Sequence, residues 1–297
     1  MATIAKTVVA TGCSSGLGFE AIKNLLNQSQ PHRFILGARD VARTQSAFDA
    51  LNLPATKSES LSILPLELSN LKTVQTFAQQ TLQKLGNTKI DYLLLNAAVA
   101  GSAEPPTGPN GSKWCEPYVV NHLAQHYLIH LLKQKLVESR SRIVIVSSGA
   151  IRSIQDPSVL ERDMKAGAGT PGFAIYGETK FVQLLAAHWW RRQLAGSCDV
   201  VAVSPGLIPG TGLTRGLLGD KPPPFDMKDA KSIPEGAENI LRAFTRTDFP
   251  DDKDLIFLTS WGEWWGKDVI GKTCDKALQD RWSPSKEQIE QEEGLSA

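Results

Sequence analysis

The sequence predicts an α/β protein built on a doubly wound parallel sheet, and three observations carry that expectation. Short apolar runs recur along the chain, stretches of helical period separate them, and a glycine-rich turn, TGCSSGLG at 11–18, follows the first run directly. Several of the runs are apolar on both faces, which is the pattern of strands covered by helices above and below.

In chain order, TVVA (7–10), RFILG (33–37), 61–66, DYLLL (91–95), RIVIVS (142–147), DVVAV (199–203) and DLIFLT (254–259) read as strands, about seven in all. Helices are expected over 17–28, 41–51, 70–85, 114–138, 174–194 and 234–245. Ser69 is the expected N-cap of the third helix and Gly86 its stop. Residues 152–173 and 204–233 are rich in Gly and Pro and read as long loops over one edge of the sheet. Loops at strand carboxyl ends are where this architecture places function. The polar, acidic stretch SPSKEQIEQEEGLSA (283–297) reads as a surface helix or a frayed tail.

Composition narrows the class. With 297 residues, 41% hydrophobic and 21% charged, the chain suits one soluble domain over 1–297 with a well-buried core. A formal net charge of +1 argues for neither nucleic acid nor an anionic membrane as partner. Cys13, Cys115, Cys198 and Cys274 lie far apart without a CxxC pair, so neither a disulfide framework nor a zinc site is expected, and a cytoplasmic setting suits them. The N-terminus shows no charged-then-apolar signal pattern, and no apolar run approaches the roughly 20 residues of a membrane span.

The glycine turn has the residues a dinucleotide site needs. Gly12 permits a tight turn, Gly16 lets backbone approach a pyrophosphate, and Gly18 lets the following helix pack close to the sheet. The helix starting near Leu17 aims its free N–H groups and positive dipole end at the anion. A plain strand-turn-helix could show the same spacing, so the second strand matters. It ends in GARD, where Arg39 offers a planar cation for a ribose 2′-phosphate and points to NADP(H). Asp40, one residue on, keeps an NAD reading open, as does the reading of Arg39 as a solvated surface cation.

Further along, Tyr176 and Lys180 stand four residues apart in YGETK, on one face of a helix, and Ser148 closes a strongly apolar strand. With TGCSSGLG, LLLNAAV, VVNHLAQHYL, VIVSS, YGETK and VSPGLIPGTGL in order, the chain resembles the short-chain dehydrogenase/reductase family over nearly its whole length. NAAV, PGLIPGTGL and a late WS are most similar to the branch that holds protochlorophyllide reductases and retinol dehydrogenases.

That resemblance implies a Rossmann-like single domain and an NADP-dependent oxidoreductase. It implies Tyr176 as general acid/base, Lys180 as the charge that favours its phenolate and holds the nicotinamide ribose, and Ser148 as donor to the substrate oxygen. Asn121 matches an asparagine that fixes a water in the proton relay behind the lysine. Cofactor contacts are implied for Gly12, Ser14, Ser15, Gly16, Leu17 and Gly18. They are implied also for Asn96, Ala97 and Ala98 after the fourth strand, and for Glu67 and Leu68 beside adenine. Pro205, Gly206, Ile208 and Thr211 match the loop that closes over the nicotinamide. Leu95 stands where a first Asn is common, and Glu67 where Asp is usual. Ser148 and Tyr176 lie 28 residues apart, about double the common separation. The serine register therefore admits Ser147, and the grown loop is expected to shape a substrate pocket.

The expected substrate is a small molecule, apolar or aromatic, reduced at a carbonyl or an activated double bond. Non-redox chemistry on the same fold and a dinucleotide-sensing protein are the alternatives. Homo-oligomers through 114–138 and 174–194 are known in the family, as are monomers. His122, His126 and His130 share one helix face; no Glu or Cys accompanies them at ligand spacing, so a partly exposed face is expected rather than a metal. Trp189 and Trp190 are expected to pack, whereas Trp261, Trp264 and Trp265 could wall a substrate.

Overall fold

A chain that crosses back through a helix after each strand returns to the same end of the sheet, so its strands pair in parallel. The structure, a computed structural model, describes residues 5–213 and 230–295. Its strands are β1 (Lys6–Thr11), β2 (His32–Ala38), β3 (Leu61–Pro65), β4 (Tyr92–Leu95), β5 (Arg142–Val146), β6 (Asp199–Val203) and β7 (Phe257–Leu258). They form one seven-stranded parallel sheet in the order β3-β2-β1-β4-β5-β6-β7. The order reverses between β1 and β4, which opens a crevice at their carboxyl ends.

The longer helices are α1 (Gly16–Asn27), α2 (Val41–Asp49), α3 (Leu71–Leu85), α4 (Ala124–Ser139), α5 (Gly172–Gln193), α6 (Ile233–Thr245) and α7 (Lys286–Glu292). Side chains alternate across the sheet, as a period of two requires. Val9, Ile35, Leu93, Leu95, Ile143 and Ile145 pack under α3, α4 and α5. Val8, Ala10, Phe34, Leu36, Leu94 and Val144 meet α1 and α6 on the opposite face. No helix among the described residues is long and apolar enough to cross a membrane.

The structure departs from the sequence expectations at several places. Asn70, not Ser69, caps α3, its Oδ1 accepting from Lys72 N at 3.1 Å. Gly86 does end that helix, at φ 52°. Strand β7 is two residues long because Leu255 and Ile256 turn back onto the carbonyls of Asp252 and Asp254. The helix expected from 114 begins at Glu116 and widens into a π-helical turn, Val119–Leu123, before α4. The loop expected at 152–173 carries short helical turns at Pro157–Val159 and Leu160–Asp163. Of the loop expected at 204–233, residues 214–229 lie outside the described residues.

Two of the histidine row are buried rather than partly exposed, while His130 is partly exposed as expected. His122 and His126 are buried, and their Nε2 atoms meet the Trp282 and Pro284 carbonyls at 2.9 Å each. Trp190 Nε1 donates to His126 Nδ1 at 2.9 Å, so the His126 proton sits on Nε2 and the ring is neutral. Burial pushes His122, His130 and the likewise buried His188 down to about 4. These rings stay neutral in the native state where an unfolded histidine, near 6.5, would take a proton. Their contribution is therefore complete above pH 6.5 and is lost as pH falls toward 4. Urea unfolding should show a loss of about 2 kcal/mol or more between about pH 7 and about pH 4.5. A flat profile across that range would refute this account.

Candidate active site

The glycine turn is shaped by contacts that exclude side chains. At Gly12, φ is +69° and a Cβ would stand 2.6 Å from Ala97 Cα. At Gly18, a Cβ would lie 2.2 Å from Gly12 O and 2.5 Å from Asn96 Nδ2, which is why the helix can start against the sheet edge. Gly16 differs: its φ of +57° calls for glycine, yet the nearest atom to a Cβ there is Thr211 Cγ2 at 3.8 Å. Ser14 and Ser15 are exposed, and Ser15 precedes α1 in extended conformation without a side-chain cap. The first N–H groups of α1 therefore face the crevice without a side-chain acceptor, as an anion site requires.

Buried polar groups tie this turn to the exit of β4. Asn96 Nδ2 donates to Gly12 O at 2.7 Å, and the Asn96 and Ala97 N–H groups both donate to Thr11 Oγ1 at 3.2 Å. Thr11 Oγ1 donates to Gln125 Oε1, and Gln125 Nε2 reaches the carbonyls of Ala97 and Asn121. Neither Thr11 nor Gln125 was singled out from the sequence. The usable signal for Gln125 was its place one turn after Asn121.

At the end of β5 the two serines separate cleanly. Ser147 is buried, its hydroxyl donating to the Lys180 carbonyl at 3.2 Å. Ser148 is half-buried, and its Oγ accepts from Ala150 N at 3.2 Å. Tyr176 and Lys180 lie on α5, with the ammonium 5.9 Å from the centroid of the phenol ring. Lys180 Nζ donates to Val146 O at 2.8 Å and Gln183 Oε1 at 3.1 Å. Burial lowers Lys180 to about 7 and raises the Tyr176 phenol above its ordinary range, with the Ser148 hydroxyl acting against the latter.

Asn121 sits in the π-helical turn with its side chain fully engaged. Oδ1 accepts from Val99 N at 2.8 Å, and Nδ2 donates to Val99 O and Thr179 Oγ1. Its carbonyl accepts from Gln125 at 3.0 Å and from Gln183 at 3.0 Å.

Around the crevice, Arg39 is exposed just beyond β2, and Asp40 caps α2, accepting from Arg43 N at 2.9 Å. Glu67 turns its carboxylate onto Ser69 N at 3.1 Å, and Leu68 is buried in the core. Ala98 is half-buried beside Ala97. Pro205 O accepts from Asn239 Nδ2, and Gly206 has φ +101°. Leu17 and Ile208 converge on Gly236 of α6, where a Cβ would fall 2.6 and 2.7 Å from them. Thr211 is thereby brought opposite Gly16. Trp265 lies against Gly149, beside Ser148, and stacks edge-on with the exposed Trp261.

Among the described residues, His188, Asp254 and Cys274 place ligand atoms within 4.8 Å of one another. Asp254 there is ion-paired with Lys267 at 3.1 Å.

The comparisons with known proteins agree with this geometry. The family model described as short chain dehydrogenase matches residues 6–156. A short-chain dehydrogenase/reductase of Pestalotiopsis microspora is 56% identical over 97% of this chain and 99% of its own. The chain belongs to the short-chain dehydrogenase family. Within that family, mouse retinol dehydrogenase 12 is 30% identical over 68% of this chain and 61% of its own. Protochlorophyllide reductase of Chlamydomonas reinhardtii is 28% identical over 71% and 57%, so the branch read from NAAV and PGLIPGTGL is represented. Among solved structures, NADPH-bound carbonyl reductase from chicken fatty liver superposes with a TM-score of 0.67 at 19% identity, covering 89% of this chain and 95% of that one. As a family member, the protein is an oxidoreductase of the kind that uses a nicotinamide dinucleotide.

Proposed function

We propose that this short-chain dehydrogenase is an NADPH-dependent reductase acting on a carbonyl, or an activated C=C, of a medium-sized apolar substrate, with Tyr176 as general acid. The carrying observation is that Tyr176 and Lys180 lie on α5 with the ammonium 5.9 Å from the phenol centroid, the ammonium held on the carbonyl that ends β5 and Ser148 two residues beyond it. The crevice fits the cofactor: Gly16 opens onto space, the start of α1 offers N–H donors, and Lys180 brings a buried cation.

When bound, the nicotinamide supplies the hydride. Gly12, Ser14, Ser15, Gly16, Leu17 and Gly18 would hold the phosphates. Asn96, Ala97, Ala98, Glu67 and Leu68 would flank the adenosine, and Pro205, Gly206, Ile208 and Thr211 the nicotinamide. Ser148 donates to the substrate oxygen as negative charge grows there, and Tyr176 passes it a proton. Lys180 offsets the effect of burial on the phenol, because its charge favours the phenolate left after transfer. Asn121 anchors the turn behind them. Trp265 and Trp261 give the substrate side an aromatic wall, which suits an apolar ligand.

Arg39 is the reason for choosing NADPH. The neighbouring carboxylate, Asp40, caps α2, and Arg39 is exposed just beyond the carboxyl end of β2. The test is oxidation of NADPH by the purified protein, followed at the cofactor's absorbance, across ketones, aldehydes and enones. Arg39→Ser should raise the KM for NADPH roughly tenfold to a hundredfold and leave that for NADH unchanged, since a charge-assisted hydrogen bond contributes about 1.5–3 kcal/mol. Equal loss with both cofactors would refute the 2′-phosphate assignment. Turnover without any nicotinamide would favour non-redox chemistry, and tight NADPH binding without turnover a sensing role.

A further inference from the structure

Gln183 lies one turn beyond Lys180 on α5 and is buried. Its amide is held at both ends: Oε1 accepts from Lys180 Nζ at 3.1 Å, and Nε2 donates to the Asn121 carbonyl at 3.0 Å. The carbonyl can only accept, so the amide cannot turn over without setting oxygen against oxygen on one side and N–H against ammonium on the other. The same carbonyl receives Gln125 Nε2 at 3.0 Å, which fills its second lone pair. A buried ammonium has three N–H groups to place. The Val146 carbonyl, at 2.8 Å, and Gln183 take two of them, leaving one for the side on which Tyr176 stands.

We propose that Gln183 is a positioning residue for proton transfer: its clamped amide keeps the Lys180 amine charged and aimed at Tyr176, joining the lysine to the Asn121 turn through a side chain. The proposal rests on the reading of Tyr176 and Lys180 as the proton-transfer pair. The chain of contacts runs from the Asn121 turn through Gln183 to Lys180, so helix position, amide orientation and ammonium direction are set together. Burial works against the charge on Lys180, and the amide oxygen opposes that effect. The titratable side chain found against Lys180 among the described residues is the Tyr176 phenol; its other partners, the Val146 carbonyl and the Gln183 amide, are neutral.

The test reads Lys180 directly, by NMR titration of full-length protein carrying ε-13C lysine, with Lys180→Met used only to assign the signal. Gln183→Met keeps the length of the side chain and removes its hydrogen bonds. The Lys180 midpoint should fall in that variant by about one unit, equivalent to about a tenfold change in the protonation equilibrium. With NADPH and whichever carbonyl the panel identifies, kcat should fall about tenfold at neutral pH and its pH profile should move with the midpoint, while the KM for NADPH changes little. Gln183→Glu supplies a charged acceptor and should move the midpoint upward, which keeps the test available if the Met variant does not fold. A midpoint unmoved in a folded variant overturns the proposal whatever the turnover. If the midpoint moves but Tyr176→Phe turns over like the parent, the proton-transfer reading fails and takes the positioning role with it.

Discussion

Replacing Tyr176 by Phe is expected to lower kcat by about a hundredfold to ten-thousandfold while leaving NADPH affinity within about twofold of the parent. The ring is only half-buried and contacts Lys180 through its face, so the substitution keeps packing and removes one hydroxyl. On the proposed reading that hydroxyl is the proton source, and without it the substrate oxygen would keep only the Ser148 donor. Single-turnover reduction and fluorescence titration with NADPH, performed on the same preparation, separate the two effects. A variant that binds and turns over normally would remove the phenol from the chemistry.

Gly18→Ala should be the most damaging single methyl in the cofactor cradle. The added carbon would meet the Gly12 carbonyl at 2.2 Å and the Asn96 amide at 2.5 Å; the first is backbone, and the second is held by its own hydrogen bond to Gly12. Neither can yield without moving the turn or the first turn of α1. Overpacking of this kind costs about 1–3 kcal/mol, and displacement of the helix start should weaken NADPH binding by roughly tenfold or more. Gly16→Ala provides the contrast, since space is open there and only the positive φ opposes it. Thermal melting and NADPH titration of both variants test the difference; equal behaviour would show that helix approach is not what Gly18 provides.

The sheet was legible because apolar runs on both faces of a strand have few other uses. Its short last strand was not, because the turn at Asp252 and Asp254 consumes residues whose composition still reads as extended. Tyr176, Lys180 and the glycines stand out in the sequence by their spacing along one helix and one turn. Thr11, Gln125 and Gln183 do not, since each is tied to a partner at least 62 residues distant in sequence and the amides are oriented only in the assembled site. The Ser147 and Ser148 ambiguity likewise needed the third dimension: both follow the end of β5, and the buried Ser147 hydroxyl is spent on the Lys180 carbonyl while Ser148 is half-buried. The buried part of the histidine row was misread for a related reason. Its covering carbonyls come from residues 282 and 284, whose docking no local pattern announces.

That covering has a consequence for how the molecule is made. His122 and His126 bond to carbonyls about 160 residues later, and Trp190, on the helix that carries Tyr176 and Lys180, joins the same seam. A ribosome must therefore pass residue 284 before this seam can close. Nascent protein carrying every residue of the crevice still waits for residues 282–284 to seal the back of the helix on which the phenol and amine are mounted.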